Sequence, residues 1–210
     1  MLRVERFVNE LMTSNCYVVF DDQIKGCVII DPGSEKSERE IAFVNTNHLK
    51  LDYIIITHEH TDHNWGVNAL MSVFPNAQLI CSEICRQRAK KTNKMYFLLY
   101  YDDPDYRYVL NEPDIVIKDD MSHITWNKQN VTFIMTPGHS FGSMCIKIGD
   151  MLFTGDTIMP YKPYFNGRDS NLDDWETSVE KIGRMLPEDT IVYPGHGEKL
   201  SLSEWLEQYR

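Results

Sequence analysis

The chain has 210 residues, of which 42% are hydrophobic and 25% are charged, and its formal net charge is −10. This size and composition are typical of one globular domain, so we predict a single domain over residues 1–210. The acidic balance argues against a nucleic-acid partner, and no run of about 18 apolar residues is present to predict a membrane span.

The cysteines and the N-terminus indicate where the protein functions. Five cysteines are scattered along the chain, and an odd number without regular spacing favours free thiols over a disulfide framework. The N-terminal residues carry charges without an apolar segment behind them, unlike a secretory signal. We therefore predict a cytoplasmic protein.

The first part of the chain predicts strands that alternate with helices. Strand-like apolar patterns cover 2–8, 16–20, 26–30, 51–57 and 78–81. Helices are predicted over 37–48 and after Asn64, a residue type that can cap the second helix. This alternation is typical of an α/β layered domain.

Residues 82–113 differ from their surroundings because they combine a basic stretch with many tyrosines. Five of the eleven tyrosines lie between residues 96 and 108. We interpret the segment as a tyrosine-rich insertion that either walls a substrate cleft or packs on the domain or on a second subunit, so a homodimer is one of the alternatives. Strands return over 123–126, 131–135, 144–148, 151–154 and 191–193, and helices over 172–186 and 202–209.

The stretch Thr57–Gly66, with the sequence THEHTDHNWG, concentrates ligand-type side chains at the end of a predicted strand. Within six residues it holds His58, His60, Asp62 and His63. A single histidine is usually structural, but four such side chains so close together favour a metal site, because unpaired polar groups would cost stability. The helical HExxH pattern does not fit, since Asp62 stands where its second histidine would be.

Three further turns repeat this arrangement, in which a strand ends and a ligand-type side chain follows a glycine. They are Pro137-Gly138-His139, Thr154-Gly155-Asp156 and Pro194-Gly195-His196. Strand-end loops are where a sheet scaffold presents functional groups. The four motifs contain five of the seven histidines, and His48 and His123 receive no role.

The combined motifs resemble the metallo-β-lactamase superfamily, and within it the glyoxalase II-like hydrolases. The matching stretches, which follow the family's order over nearly the whole chain, are HEHTDH at 58–63, GHS at 138–140, TGD at 154–156 and PGHG at 194–197. Weaker matches are Asp31-Pro32-Gly33 and Ser14-Asn15-Cys16-Tyr17. The resemblance implies an α/β fold, an αββα four-layer sandwich of two mixed sheets flanked by helices, with the metal site at the sandwich edge.

The resemblance also implies two divalent metal ions as cofactors. One would be held by His58, His60 and His139, the second by Asp62, His63 and His196, and Asp156 would bridge them. Nitrogen and oxygen ligands suit zinc first, with iron and manganese as alternatives. Two ions about 3.5–4 Å apart can share a hydroxide and stabilise an oxyanion. The expected reaction is attack of this hydroxide on the thioester or ester carbonyl of a small acyl substrate, with Asp62 also catalytic, orienting the nucleophile or taking its proton.

Three side chains that follow the bridging aspartate are candidate substrate contacts. Tyr161 and Tyr164 are expected to line the pocket. Arg168, which resembles the family's Gly-Arg pair at this place, is expected either to anchor a substrate carboxylate or to form an internal salt bridge.

The chain also departs from the glyoxalase II pattern. Glyoxalase II-like enzymes recognise glutathione largely through an added C-terminal helical domain, and this chain continues for only 14 residues after His196, so we expect no such domain. The insertion at 82–113 is a second departure, and Ser140-Phe141, where the family commonly has Thr then Pro, is a third. These departures weaken the case for a glutathione thioester but not for another thioester or ester.

Other activities of the superfamily stay open as alternatives. A persulfide dioxygenase would use one iron on two histidines and an aspartate, and the corresponding His58, His139 and Asp156 are all present. A lactonase or a β-lactamase is a further alternative, although Asp156 excludes the β-lactamases that carry a cysteine there. The net charge disfavours a nuclease, and the complete ligand set disfavours a non-catalytic binding protein.

Overall fold

Two six-stranded sheets form the centre of the protein in a computed structural model that describes residues 1–10, 12–89, 106–165 and 168–209. The strands of the first sheet, in spatial order, are β1 (Leu2–Val8), β2 (Asn15–Asp21), β3 (Gly26–Ile30), β4 (Lys50–Ile55), β5 (Gln78–Ser82) and β6 (Ile115–Ile117). Those of the second sheet are β7 (Met121–Trp126), β8 (Gln129–Met135), β9 (Met144–Ile148), β10 (Met151–Gly155), β11 (Ile191–Pro194) and β12 (Leu200–Ser201).

Helices cover the outer face of each sheet. In the described part of the chain they are α1 (Glu38–Thr46), α2 (Val67–Val73), α3 (Glu83–Arg88), α4 (Leu172–Met185) and α5 (Leu202–Tyr209), and a 3₁₀ turn covers Thr61–His63. Among the described residues, no helix is both long enough and apolar enough to cross a bilayer.

Three apolar clusters separate the four layers. On β3, Ile29 packs toward the helices of the first sheet, whereas Val28 packs toward the second sheet, because successive side chains of a strand point to opposite faces. On β8, Phe133 lies between the sheets and Ile134 packs with α4 and α5. Both sheets contain parallel and antiparallel pairs. The predicted αββα sandwich of two mixed sheets is therefore confirmed.

Strand directions bring the carboxyl ends of five strands to one edge of the sandwich. In the first sheet, β3 and β4 run parallel. In the second, β8 and β10 are each antiparallel to β9, and β11 is parallel to β10. Backbone hydrogen bonds join the sheets at this edge, from Met144 N to Thr57 O (2.9 Å) and from Asn15 N to Gly195 O (2.6 Å).

The structure differs from the sequence-based prediction in three local features. The strands β6 and β12 were not predicted, and both are too short for an apolar pattern to reveal. Asn64 does not cap α2: Gly66 holds that position, because the 3₁₀ turn intervenes. The side-chain amide of Asn64 instead donates to the backbone oxygens of Glu59 (3.0 Å) and His60 (2.8 Å).

The proposed insertion at 82–113 connects β5 to β6, and residues 90–105 lie outside the described part of the chain. Its described flanks pack on the first sheet's side of the molecule, where Tyr108 and Leu110 are buried. The phenol of Tyr108 donates to the backbone oxygen of Asn64 (2.6 Å). The five cysteines are free thiols, and all of them are buried.

Candidate functional site

The ligand-type side chains lie in four loops at the shared edge of the two sheets. The loop after β4 carries His58, His60, Asp62 and His63, whereas His139 follows β8, Asp156 follows β10 and His196 follows β11. The first sheet therefore supplies four of these side chains and the second sheet three. They meet only because the carboxyl ends of these strands face each other across the sandwich.

Three histidines form the first group of the site. The Nδ1 atom of His60 lies 3.0 Å from His58 Nε2 and 3.0 Å from His139 Nε2. All three rings converge, with their ligand atoms within 4.8 Å of one another. Nitrogen ligands at ordinary zinc distances in a tetrahedral arrangement lie about 3.3 Å apart, so the group has nearly the spacing of a metal site.

An aspartate and two histidines form the second group. The Oδ2 atom of Asp62 lies 3.5 Å from His63 Nε2 and 3.5 Å from His196 Nε2. These ligand atoms also lie within 4.8 Å of one another. The group combines two imidazoles with one carboxylate, which is a common ligand set for zinc and for other divalent ions.

Asp156 stands between the two groups. One carboxylate oxygen, Oδ2, lies 3.3 Å from His139 Nε2 of the first group and 3.6 Å from His196 Nε2 of the second. The other, Oδ1, lies 3.5 Å from His63 Nε2. A Cβ atom on Gly195 would lie 2.1 Å from Oδ1, so only glycine allows the His196 loop to approach this carboxylate.

Asp31, at the end of β3, is a site residue to which sequence reasoning gave no role. Its carboxylate accepts hydrogen bonds from Thr57 N (2.8 Å), from Thr57 Oγ1 (2.6 Å) and from His63 Nδ1 (3.0 Å). Because the Thr57 hydroxyl donates to Asp31, it accepts from Nδ1 of His58 at 3.0 Å. Asp31 thus leaves Nε2 of both His58 and His63 free to bind an ion. The signal in the sequence was the Asp-Pro-Gly turn directly after a strand.

Asp31, His58 and His63 also have ligand atoms close enough to form a third metal-binding group. Both histidines, however, use Nδ1 for the hydrogen bonds just described, one directly and one through Thr57. Asp31 is therefore better suited to orienting these rings than to binding an ion itself.

Burial keeps two rings of the first group neutral. It lowers the pKa of His58 well below the ordinary value, and neighbouring imidazoles lower it further. Burial also lowers the pKa of His139, to about 4. Neutral imidazoles are the form in which histidine binds a metal ion, since the ring nitrogen must have a free lone pair.

The second group has the opposite electrostatic character. Burial opposes a charge on His63, but Asp62, Asp156 and Asp31 raise its pKa to about 10. Burial alone would raise the pKa of Asp62, yet His63 and His196 hold it well below its ordinary value. The carboxylates therefore favour a positive charge at Nε2 of His63, where an ion of the second group would lie.

Buried polar atoms in the site fit a metal centre. His63 Nε2 and Asp156 Oδ1 are buried without a hydrogen-bond partner among the described residues. Burying such atoms unpaired costs free energy, and a cation between them would remove that cost. None of the three candidate groups among the described residues contains a cysteine, so the donor set is that of a nitrogen and oxygen site.

The three predicted substrate contacts are more exposed than the ligand-type residues. Tyr161 is 52% exposed, and both its partial burial and the Asp156 carboxylate raise its pKa. Tyr164 is 81% exposed, and Arg168 is also exposed. Substrate roles for these three residues stay predictions. The two histidines without a role, His48 and His123, are exposed outside the site.

Comparison with curated proteins shows relatives that are metal-dependent or acylglutathione hydrolases by name. The chain is 28% identical over 194 residues to the probable polyketide biosynthesis zinc-dependent hydrolase of Bacillus velezensis, covering 91% of this chain and 77% of the relative. It is 30% identical over 178 residues to the hydroxyacylglutathione hydrolase of Aeromonas salmonicida, covering 83% of this chain. The match spans only 58% of that relative's length.

Structural comparison and a family model agree on the fold. The crystal structure of the BLEG-1 B3 metallo-beta-lactamase superposes with a TM-score of 0.86 at 23% identity, covering 98% of this chain and 97% of that one. The family model of the metallo-beta-lactamase superfamily matches residues 10–196, which include every ligand-type side chain of the site. The chain is therefore a member of the metallo-beta-lactamase superfamily.

Proposed function

We propose that the chain is a metal-dependent hydrolase that holds two divalent ions and cleaves a thioester or ester of a small acyl substrate. The first group, His58, His60 and His139, would bind one ion, and the second group, Asp62, His63 and His196, would bind the other. Zinc is the proposed metal, because imidazole and carboxylate ligands suit it and because one relative is named as zinc-dependent.

The position of Asp156 is the observation that carries a two-ion centre. Its carboxylate faces His139 of the first group and both His63 and His196 of the second, at 3.3–3.6 Å. A single ion on the first group would leave the second group's carboxylate and imidazoles without a role. A carboxylate that bridges two ions gives a role to the ligands of both groups.

The chain's own residues would prepare the reaction. Two bound divalent ions supply a hydroxide at neutral pH and charge stabilisation for the developing oxyanion. Asp62, whose Oδ2 faces the rings of His63 and His196, is placed to orient the nucleophile and to accept its proton. Asp31 holds His58 and His63 in the ring orientations that binding requires.

The acyl group and the leaving group are proposed only as classes. The relatives' names support hydrolysis, and hydroxyacylglutathione is itself a thioester. Tyr161, whose pKa is raised by partial burial and by the Asp156 carboxylate, is the side chain that we propose to contact the acyl substrate. We propose a small acyl thioester first and an ester second.

The test begins with metal analysis of protein purified without added metal or chelator. We expect two zinc ions per chain, hydrolysis within a panel of acyl thioesters and esters, and loss of both dinuclear binding and turnover in Asp156→Ala. The matched control is His123→Ala, because this histidine is exposed on β7 and lies outside the site. It should keep both ions and full turnover.

Two results would overturn the proposal. Asp156→Ala that still binds two ions tightly and turns over normally would remove the bridging role. One iron per chain, with oxygen uptake on a persulfide and no hydrolysis, would instead indicate a mononuclear dioxygenase that uses His58, His139 and Asp156.

A further inference from the structure

Glu59 lies between two ligand-type histidines in the sequence, but its side chain is buried away from them. The Oε2 atom accepts a hydrogen bond from Ser140 Oγ at 2.9 Å. The Oε1 atom lies 2.8 Å from Nε of Arg88, and the Glu59 side chain is only 8% exposed. Glu59 therefore connects the loop that carries His58 and His60 to the residue that follows His139.

The hydrogen bonds around Ser140 have one consistent direction. Ser140 N donates to Ser143 Oγ at 3.2 Å, so the Ser143 hydroxyl can donate to Ser140 Oγ at 2.9 Å. The Ser140 hydroxyl is then left to donate to Glu59. Each donor is used once, and this series of hydrogen bonds ends on the Glu59 carboxylate, which makes the last hydrogen bond charge-assisted.

The backbone of the same loop is shaped to fit Glu59. A Cβ atom on Gly142 would lie 2.4 Å from Glu59 Oε2 and 2.8 Å from the backbone nitrogen of Cys85. The backbone oxygen of Gly142 also accepts a hydrogen bond from Ser82 Oγ at 2.7 Å. The loop of His139 is thus fixed on one side by Glu59 and on the other by the first turn of α3.

Arg88 supplies the positive charge that makes a buried carboxylate acceptable here. Besides its ion pair with Glu59, its guanidinium lies 5.1 Å from the centre of the Phe141 ring and forms an ion pair with Asp169. A buried carboxylate without a partner would be costly. Ser140 and Phe141, the two positions that depart from the family pattern, thus contact Glu59 and Arg88 respectively.

We propose that Glu59 is a positioning residue for the first group. Through its hydrogen bond with Ser140, Glu59 fixes the distance between His60 and His139. The second group has no contact of this kind with Glu59 among the described residues, so its affinity for an ion should not depend on Glu59. This inference rests on the proposed metal centre. It goes beyond that proposal by predicting that one side chain controls one ion and not the other.

The experiment measures zinc affinity by competition with a chromogenic chelator in two backgrounds that isolate the groups. His196→Ala leaves the first group complete, and His139→Ala leaves the second group complete. Glu59→Gln and Ser140→Ala should each weaken zinc binding by about 10–100-fold in the His196→Ala background, which is the usual effect of losing a residue that orients a ligand. In the His139→Ala background, both changes should alter affinity less than about threefold.

Ser140→Thr is the matched control, because it keeps the hydroxyl that donates to Glu59 and should retain parental affinity in both backgrounds. Thermal unfolding of zinc-stripped protein shows whether each variant folds. If Glu59→Gln does not fold, the two Ser140 variants still test the inference. Equal losses in both backgrounds, or no loss in either, would overturn the inference. Failure of the parent to bind zinc would instead refute the metal centre itself.

Discussion

Asp31 acts on a ring of each group from the first sheet, as Asp156 does from the second. It accepts a hydrogen bond directly from His63 of the second group and acts on His58 of the first through the Thr57 hydroxyl. Its backbone is in the left-handed region, with φ at 54°, which asparagine and aspartate tolerate better than most residues. A carboxylate in this position fixes the hydrogen-bonded nitrogen of two rings at once.

Asp31→Asn should therefore weaken zinc binding at both groups, by about 10–100-fold each. The asparagine side chain has one accepting oxygen, whereas both oxygens of the Asp31 carboxylate accept hydrogen bonds from Thr57 and His63. Asparagine keeps the backbone conformation, so the loss should not come from misfolding. Thr57→Val replaces the hydroxyl by a methyl group and should weaken the first group alone. Chelator competition in the His196→Ala and His139→Ala backgrounds measures both effects, and a loss confined to one group in Asp31→Asn would contradict the prediction.

At the scale of the element, α1 carries a buried acid on the face that packs against the first sheet. Glu40 is 1% exposed, and its carboxylate oxygens have no hydrogen-bond partner among the described residues. Burial raises the pKa of Glu40, its own backbone N–H and Arg39 oppose this, and the Glu10 carboxylate raises the pKa further. The folded protein therefore favours the protonated form of Glu40 more than the unfolded chain does.

Glu40→Gln should raise the free energy of unfolding at neutral pH, because it removes a charge that the folded state disfavours. In the unfolded chain a glutamate titrates at about pH 4.3, below its raised folded pKa. The unfolded state therefore loses its proton first, and the parent loses stability as pH rises from the unfolded toward the folded pKa.

Urea unfolding measured across pH checks this prediction. The advantage of Glu40→Gln over the parent should be constant above the folded pKa and should shrink as pH falls from the folded toward the unfolded pKa. Glu38→Gln is the control, since Glu38 is exposed on the same helix. A Glu40→Gln protein that is less stable than the parent at neutral pH would show that the carboxylate is stabilised by the fold.

At the scale of the whole molecule, the site exists only where the two sheets pack. The first sheet carries the loop of His58 to His63, and the second carries His139, Asp156 and His196. The layer between the sheets contains Phe133 and Phe153, which are both fully buried. The packing of this layer sets how the two sets of loops face each other.

Phe133→Ala should lower the free energy of unfolding by about 3–5 kcal/mol, because it opens a cavity in the layer between the sheets. The urea midpoint measures the change, provided that the slope of the transition is unaltered. Met121→Ala serves as the control, since Met121 is 56% exposed, and its effect should stay within about 0.5 kcal/mol. A Phe133→Ala loss of the same size as the control would mean that the sheets are not packed through this residue.

Much of the fold and of the site follows from local sequence patterns. Alternating or continuous apolar runs predicted ten of the twelve strands found among the described residues. Each of these ten strands has enough consecutive residues for its apolar pattern to be recognised. The ligand-type residues were visible for a similar reason, since each stands in a glycine turn or a dense histidine cluster directly after a strand. Their division into two groups came from the family resemblance, and their ligand roles, the single domain, the cytoplasmic location and the substrate stay predictions.

Other features were decided only by tertiary contacts between residues far apart in the chain. Strands β6 and β12 exist because a neighbouring strand offers them hydrogen bonds, and a segment of two or three residues has no period of its own. The links from Asp31 to His63 and from Glu59 to Ser140 join residues 32 and 81 positions apart. A lone carboxylate in a sequence does not reveal which distant donor it will meet, because sheet packing decides that. Local sequence patterns therefore show which side chains could bind a metal, whereas the packing of the two sheets fixes which residues hold these side chains in place.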